Sequence, residues 1–273
     1  MKLLAVLLAS VSITTLVATC STEAAGITIE ATGAYLMGPN SAAASRMSSS
    51  ASAIDINPIN GGYGALRIGK DMAPGWDISG QLAVTQTNQG TASYVNSVSK
   101  LGNITSDLAF QTLDMDVGYS PKLASDGSIR FFGGLRGLHL TDALADSTTF
   151  LFVPVSTTYS DEFYGVGPHA GADYAQRFGD SPFGFSLAAS GAVVFGSNHR
   201  MTTSTFFPAT DTSVPETVVD LEASAGLDFH VTDQAVFTAG YRAEVLSGVN
   251  NFGSNAPAGQ LVHGPFGKLK AQF

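Results

Sequence analysis

Residues 219–231 read VDLEASAGLDFHV. Val219, Leu221, Ala223, Ala225, Leu227, Phe229 and Val231 hold the odd positions, and Asp220, Glu222, Ser224, Gly226, Asp228 and His230 the even ones. A period of two sends successive side chains to opposite faces of a β-strand. The run is about twice the usual five or six residues of a strand in a soluble domain. An apolar face of that length has to meet either a packed core or lipid.

The same period recurs on both sides of this segment. In GITIEATGAYL (26–36), Ile27, Ile29, Ala31 and Tyr35 oppose Thr28, Glu30, Thr32 and Ala34, and in LDMDVGY (113–119), Leu113, Met115, Val117 and Tyr119 oppose Asp114, Asp116 and Gly118. Read along the chain, the pattern gives ten strands, at 26–37, 62–70, 76–87, 107–120, 128–140, 161–176, 183–196, 218–231, 234–246 and 260–273. An even number returns both ends to one side of a membrane, as in single-chain bacterial barrels, and about eleven tilted residues climb roughly 28 Å. Connections after odd-numbered strands are long (38–61, 88–106, 141–160, 197–217, 247–259) and rich in Ser, Thr, Asn and Ala. Those after even-numbered strands are short, as in KDMAPGW, SPKLASDGS, RFGDSPFG and HVTDQ. Long outer loops alternating with short periplasmic turns are what a membrane barrel requires.

Composition agrees. Charged residues make up 13% of the 273 residues, against about 25% in soluble domains, while Gly numbers 30 and aromatics reach 10%. The net charge of −9 argues against nucleic acid and against a polybasic lipid-surface binder. At the N-terminus, Lys2 precedes LLAVLLASVSITTLVA and then STEAAG, whose Thr22 and Ala24 stand at the minus-three and minus-one places of a cleavage site. Residues 1–24 are read as an export signal and 25–273 as the mature barrel; a short membrane anchor is the other reading of the leader. Cys20, the one cysteine, is removed by that cut or, after an alternative cleavage, accepts lipid. Removal excludes thiol catalysis and a disulfide framework. Beyond the leader no apolar run reaches about 18 residues, so spanning falls to strands, which cross hydrocarbon only as a closed barrel. The expected fold is therefore all-β, a closed antiparallel transmembrane β-barrel.

With the apolar face turned to lipid, Trp76, Tyr119, Phe131, Tyr174, Phe185, Phe229, Phe237 and Phe273 form an outward aromatic belt beside the short turns. Tyr35, Tyr164 and Phe195 mark a thinner outer rim. Phe273 is then the last outward residue of the closing strand, and a terminal aromatic there resembles the recognition signal of the outer-membrane assembly machinery, an expected partner beside outer-membrane lipid.

The inward face carries Glu30, Arg67, Asp77, Asp114, Asp116, Arg130, Arg136, Asp173, Asp220, Glu222, Asp228, Arg242, Glu244, Lys268 and Lys270. None of these falls on the lipid face, where one Lys or Arg near the midplane costs about 2–4 kcal/mol. Two readings of this wall stand side by side: mutually satisfied ion pairs, or a narrow wet channel. Between the charges stand Gly69, Gly118, Gly134, Gly165, Gly167, Gly171, Gly184, Gly226 and Gly240, leaving room for water or for Arg chains lying flat. GVGPHAG lacks the dinucleotide spacing, and His139, His169, His199, His230 and His263 are scattered without metal-ligand spacing. His169 and Asp173, four apart, read as a lumenal hydrogen-bonded pair. No cofactor, metal or catalytic group is expected, and no nucleophile elbow is present.

FQTLDMDVGYS, IRFFGGLRGLHL, EFYGVGPHAGADYAQRF, FGFSLAASGAVVFG, VVDLEASAGLDFHV, AVFTAGYRAEVLSGV and HGPFGKLKAQF resemble successive strands of the Legionella-type major outer-membrane protein family. The similarity runs from about residue 60 to the end and is most specific at FYGVGP, GYRAE and the closing GPF with Phe273. It implies a pore-forming bacterial outer-membrane barrel and carries over no catalytic residues.

The leading expectation is a narrow porin-like channel for small hydrophilic solutes or ions, lined by Asp114, Asp116, Arg136, Asp220, Glu222, Arg242, Lys268 and Lys270. The alternative is a non-conducting envelope anchor or adhesin acting through outer loops with apolar tips such as TTFLFVPV and STFFPAT. A third is an enzyme at the outer rim dependent on His169 or Asp173. Oligomeric state is left open.

Overall fold

The computed structural model describes residues 26–41, 43, 51–88, 90–96, 101–123, 127–150, 153–249 and 258–273; the expected export signal and Cys20 lie outside them. Twelve strands form one antiparallel sheet: β1 (Ile27–Gly38), β2 (Ala51–Ile56), β3 (Ile59–Ala73), β4 (Trp76–Thr87), β5 (Gly90–Asn96), β6 (Leu101–Tyr119), β7 (Gly127–Phe150), β8 (Val153–Arg177), β9 (Phe183–Ser204), β10 (Thr210–His230), β11 (Ala235–Val249) and β12 (Ala258–Gln272). Ten of them close a ring in the order β1-β3-β4-β6-β7-β8-β9-β10-β11-β12, and β12 pairs back onto β1. Backbone bonds between Phe273 and both Gly26 and Ile27 finish the seam at the short-turn end. Closure leaves no open edge in the lipid-spanning zone, which hydrocarbon demands.

The expected faces hold. Leu113, Met115 and Val117 on β6, Phe131 and Leu135 on β7, and Leu221, Leu227 and Phe229 on β10 point outward and are exposed. Trp76 packs against Tyr119 at a tilt with ring centroids 4.9 Å apart, and Phe183 against Phe229 at 5.5 Å, at the short-turn rim. On β8 the outward Tyr174 and Tyr164 bracket a lipid band about 25 Å tall.

The strands do not stop at that band. The segments 88–106, 141–160 and 197–217 were expected to be loops, and the structure corrects this: β5 and β6 fill most of the first, β7 and β8 the second, and β9 and β10 the third. β7 and β8 pair without interruption from Gly127↔Gln176 to Phe150↔Val153. At 24 and 25 residues they rise roughly 60 Å, more than twice the band. The extension forms because these segments are rich in Thr and Val, which favour strands, as in VPVSTTYS. Its outward residues, such as Ser156, Thr158 and Ser160, are polar and exposed. β2 pairs with β5 and β5 with the outer half of β6, so they join the same raised wall. Above the outer rim the apolar residues turn inward instead. Leu36, Phe110, Leu138, Leu140, Phe163, Val194, Val218, Leu246 and Val262 are each at most 3% exposed and form one interior cluster.

Candidate functional site

The interior is stacked in layers along the barrel axis. In the membrane zone lies an ionic belt. Arg136 of β7 donates to Asp114 of β6 through Nε and Nη2, both at 2.7 Å, and to Asp220 of β10 through Nη1. Asp114 and Arg136 are register partners on adjacent strands, whereas Asp220 reaches across the lumen. His169 of β8 lies 3.0 Å from Asp116 through Nδ1, and its Nε2 is 3.2 Å from Arg136. Arg242 of β11 binds Glu244 at 2.7 Å and Glu222 at 3.3 Å, and its guanidinium carbon sits 3.5 Å from the centre of the Tyr63 ring. Asp114, Asp220, Arg136, Arg242 and Glu244 are almost fully buried. Charges so far from water persist because each carboxylate has a guanidinium within contact.

Below the belt, toward the turns, a cavity of about 530 Å³ is lined by Glu30, Arg67, Asp77, Arg130, Asp173, Lys268 and Lys270 among others. A smaller one of about 100 Å³ links it to the underside of the belt, with Asp114, Asp116, Arg136, Glu222, Arg242 and Lys268 in its walls. Arg130 grips Asp77 with Nε at 2.7 Å and Nη2 at 2.6 Å and reaches Asp173 at 3.4 Å, while its plane lies over Phe132. Gly118 makes that arrangement fit, because a Cβ there would collide with the Arg130 guanidinium and the Asp77 carboxylate. Lys270 approaches Glu30 at 3.7 Å.

Above the belt the apolar cluster fills the lumen, and above that lies an acidic layer. Asp142 of β7 and Asp161 of β8 are register partners, both turned inward and 2% and 6% exposed. They stand three residues beyond His139 and Tyr164, outside the lipid band. Burial, and then the facing Asp161, pushes the Asp142 carboxyl well above the usual carboxylate range. Burial also raises Asp161, against the pull of Arg200. Arg200 of β9 lies 3.4 Å from Asp161 and 3.2 Å from Glu216.

Of the residues expected to line a lumen, Asp114, Asp116, Arg136, Asp220, Glu222 and Arg242 come together in the belt, while Lys268 and Lys270 lie below it in the open cavity. The expected bond between His169 and Asp173 gives way to others: His169 binds Asp116, and Asp173 binds Arg67 and Arg130. Residues four apart on one strand face are about 13 Å apart along it, whereas cross-strand neighbours are within reach. Both side chains lie in or below the belt, not at the outer rim. The acidic layer went unnoticed because Asp142 falls in the segment read as a loop and Asp161, the first residue of the strand read at 161–176, was not assigned to the inward face; the alternating LTDALAD and YSDEFYG carried the signal.

Residues 26–254 match the family model of the Legionella pneumophila major outer membrane protein precursor. The chain belongs to this family. It is an outer-membrane protein, as that membership shows. Curated protein sequences return no match. Among solved structures, the outer membrane protease OmpT from Escherichia coli aligns with a TM-score of 0.51 and 12% identity, covering 93% of this chain and 99% of that one. The translocator domain of the autotransporter NalP from Neisseria meningitidis gives 0.43 and 11%, covering 91% and 89%. The COG4313 outer membrane channel from Pseudomonas putida F1 gives 0.36 and 10%, covering 93% and 100%. At such identities the likeness is one of fold alone.

Proposed function

We propose that this barrel is closed to solutes in its resting form and works as an envelope-anchored surface protein, with the membrane zone as anchor and the raised wall as its working face. The observation that carries this reading is the filled interior at the outer rim. Phe163, Leu138, Leu140, Phe110, Val194 and Val218 pack there at 0–3% exposure, directly above a belt in which Arg136 and Arg242 are held by Asp114, Asp220, Glu222 and Glu244. A wet path for ions would need those side chains apart. Refolded protein in a planar lipid bilayer is expected to show no discrete conductance steps above leak, and regular ohmic steps would overturn the proposal.

A second reading, the narrow channel for small hydrophilic solutes or ions, is favoured by the cavity of about 530 Å³ that opens on the turn side with Lys268 and Lys270 in its wall. On that reading the apolar cluster is a gate, and Phe163→Ala together with Leu140→Ala produces conductance that the parent lacks. Phe206 and Phe207 at the tip between β9 and β10 are exposed and offer apolar surface to the exterior.

A further inference from the structure

Asp142 is sealed between two apolar layers. Its inward neighbours along β7 are Leu140 below, part of the cluster that fills the outer rim, and Leu144 above, part of a second cluster with Ala92, Tyr94 and Ile104. Asp161 repeats the arrangement on β8, with Phe163 below and Tyr159 above. Across the sheet, Asp142 stands between Leu108 of β6 and Asp161, and Arg200 of β9 comes next in the row. That guanidinium lies against Asp161 at 3.4 Å and Glu216 of β10 at 3.2 Å, and among the described residues no ion pair joins a cation to Asp142. The further charged groups on the strands around it are acids: Asp107 of β6, and Asp146 of β7, which accepts the Tyr94 hydroxyl at 2.7 Å. Asp142 Oδ2 has no hydrogen-bond partner. Ionised, Asp142 is a buried charge opposite a like charge, with neither cation nor donor to offset its lost hydration. Neutral, it carries a hydroxyl, and the Asp161 carboxylate opposite is the acceptor for it.

We propose that Asp142 and Asp161 share one proton at neutral pH and that this proton latches β7 to β8 above the lipid, so that the extracellular barrel is tightest in acid and loosens as the pH rises. The Asp142 hydroxyl donates to the Asp161 carboxylate, and Arg200 then faces one charge from the pair instead of two. Burial, and then Asp161, pushes the Asp142 carboxyl well above the usual carboxylate range, which sets the sign. The contribution is complete below the ordinary aspartate value of about 3.9, where the opened chain also holds the proton. Above that value, opening releases the proton and becomes up to about tenfold more favourable per pH unit, until the folded pair itself ionises and the contribution is gone. The latch lies above the apolar cluster, so it acts whether or not the lumen conducts.

The test uses the mature chain refolded in detergent. Infrared spectra at neutral pH separate the carbonyl stretch of a protonated carboxyl from the carboxylate bands, and Asp142→Asn is expected to remove part of the protonated signal. Amide hydrogen exchange in 141–148 and 156–163, corrected for the intrinsic pH dependence of exchange, is expected to lose protection at least about tenfold from about pH 5 to about pH 8, while strands in the lipid band keep theirs. Asp142→Asn keeps the shape and still offers a donor to Asp161, so it is expected to fold and to change less than about threefold over that range. Asp233→Asn, at a periplasmic turn, is expected to keep the parent's profile. An infrared spectrum unchanged by Asp142→Asn overturns the proposal, as does protection in the parent that stays level or rises with pH, or an Asp142→Asn profile that matches the parent's. Should Asp142→Asn fail to fold, the parent's exchange profile decides by itself: protection lost with rising pH upholds the latch, and a level profile overturns it.

Discussion

Along β7, Ile129 to Arg136 and Leu138 to Leu144 obey opposite rules on an unbroken strand. In the first stretch Phe131 and Leu135 face out and Arg130 and Arg136 face in. In the second, Leu138, Leu140 and Leu144 face in, while Thr141 and Ala143 face out. The register with β8 runs through both without a shift, so no bulge turns the strand over. The solvent changes, and the chemistry of the two faces changes with it. Lipid outside requires apolar side chains there and tolerates ions at the centre; water outside requires polar side chains there and lets the hydrophobic effect fill the centre. The same backbone thus makes a membrane barrel below Tyr164 and a water-soluble one above.

The sharpest way to break this contrast is to remove the cation that makes the lower interior tenable. Arg136→Ala leaves Asp114 and Asp220 buried without their main partner, and unpairing a buried ion pair costs about 3–5 kcal/mol. Urea unfolding in detergent, followed by the mobility shift of folded barrel on a gel, measures it. A loss below about 1 kcal/mol would mean that water reaches the belt freely, and the closed reading of the lumen would fall with it.

A paired substitution sharpens the boundary itself. Leu135 and Ala143 share the outward face of β7, eight residues apart. Leu135→Lys puts an ammonium against hydrocarbon and is expected to cost about 2–4 kcal/mol, whereas Ala143→Lys meets water and should stay within about 0.5 kcal/mol. Equal costs at the two positions would place the lipid boundary elsewhere on the strand.

The lower half was legible in the sequence because apolar-out, polar-in alternation in VDLEASAGLDFHV or LDMDVGY has no other economical explanation once charges are so few. Every charge assigned to the lumen is found there. The upper half was misread for a physical reason. Above the rim the outward residues become Ser and Thr, and the inward apolar ones, Ile104, Leu108, Leu138, Leu140 and Leu144, shift to the other phase of the alternation. A reading tuned to one phase sees the pattern dissolve into a Ser- and Thr-rich loop, although the strand goes on. The belt was legible as a set of inward charges but not as a set of partners, since Arg136 with Asp220 and His169 with Asp116 join strands that are not neighbours in the sheet, 84 and 53 residues apart. Sequence spacing carries no information on contacts of that kind.

The smallest effect tests whether inward glycine in the lower half is there for room or for backbone freedom. Gly118 lies under the Arg130 guanidinium where it grips Asp77, and an added Cβ has no space unless that pair moves. Gly118→Ala is expected to cost about 1–3 kcal/mol as an overpacked site. If the collision is the cause, Arg130→Ala relieves it, and the double variant Gly118→Ala with Arg130→Ala is less destabilised than the two single losses combined, by at least about 0.5 kcal/mol. Additive losses would instead assign the cost to the backbone of β6, and the small residues of the lower wall would then be serving the curvature of the sheet, not the packing of its arginines.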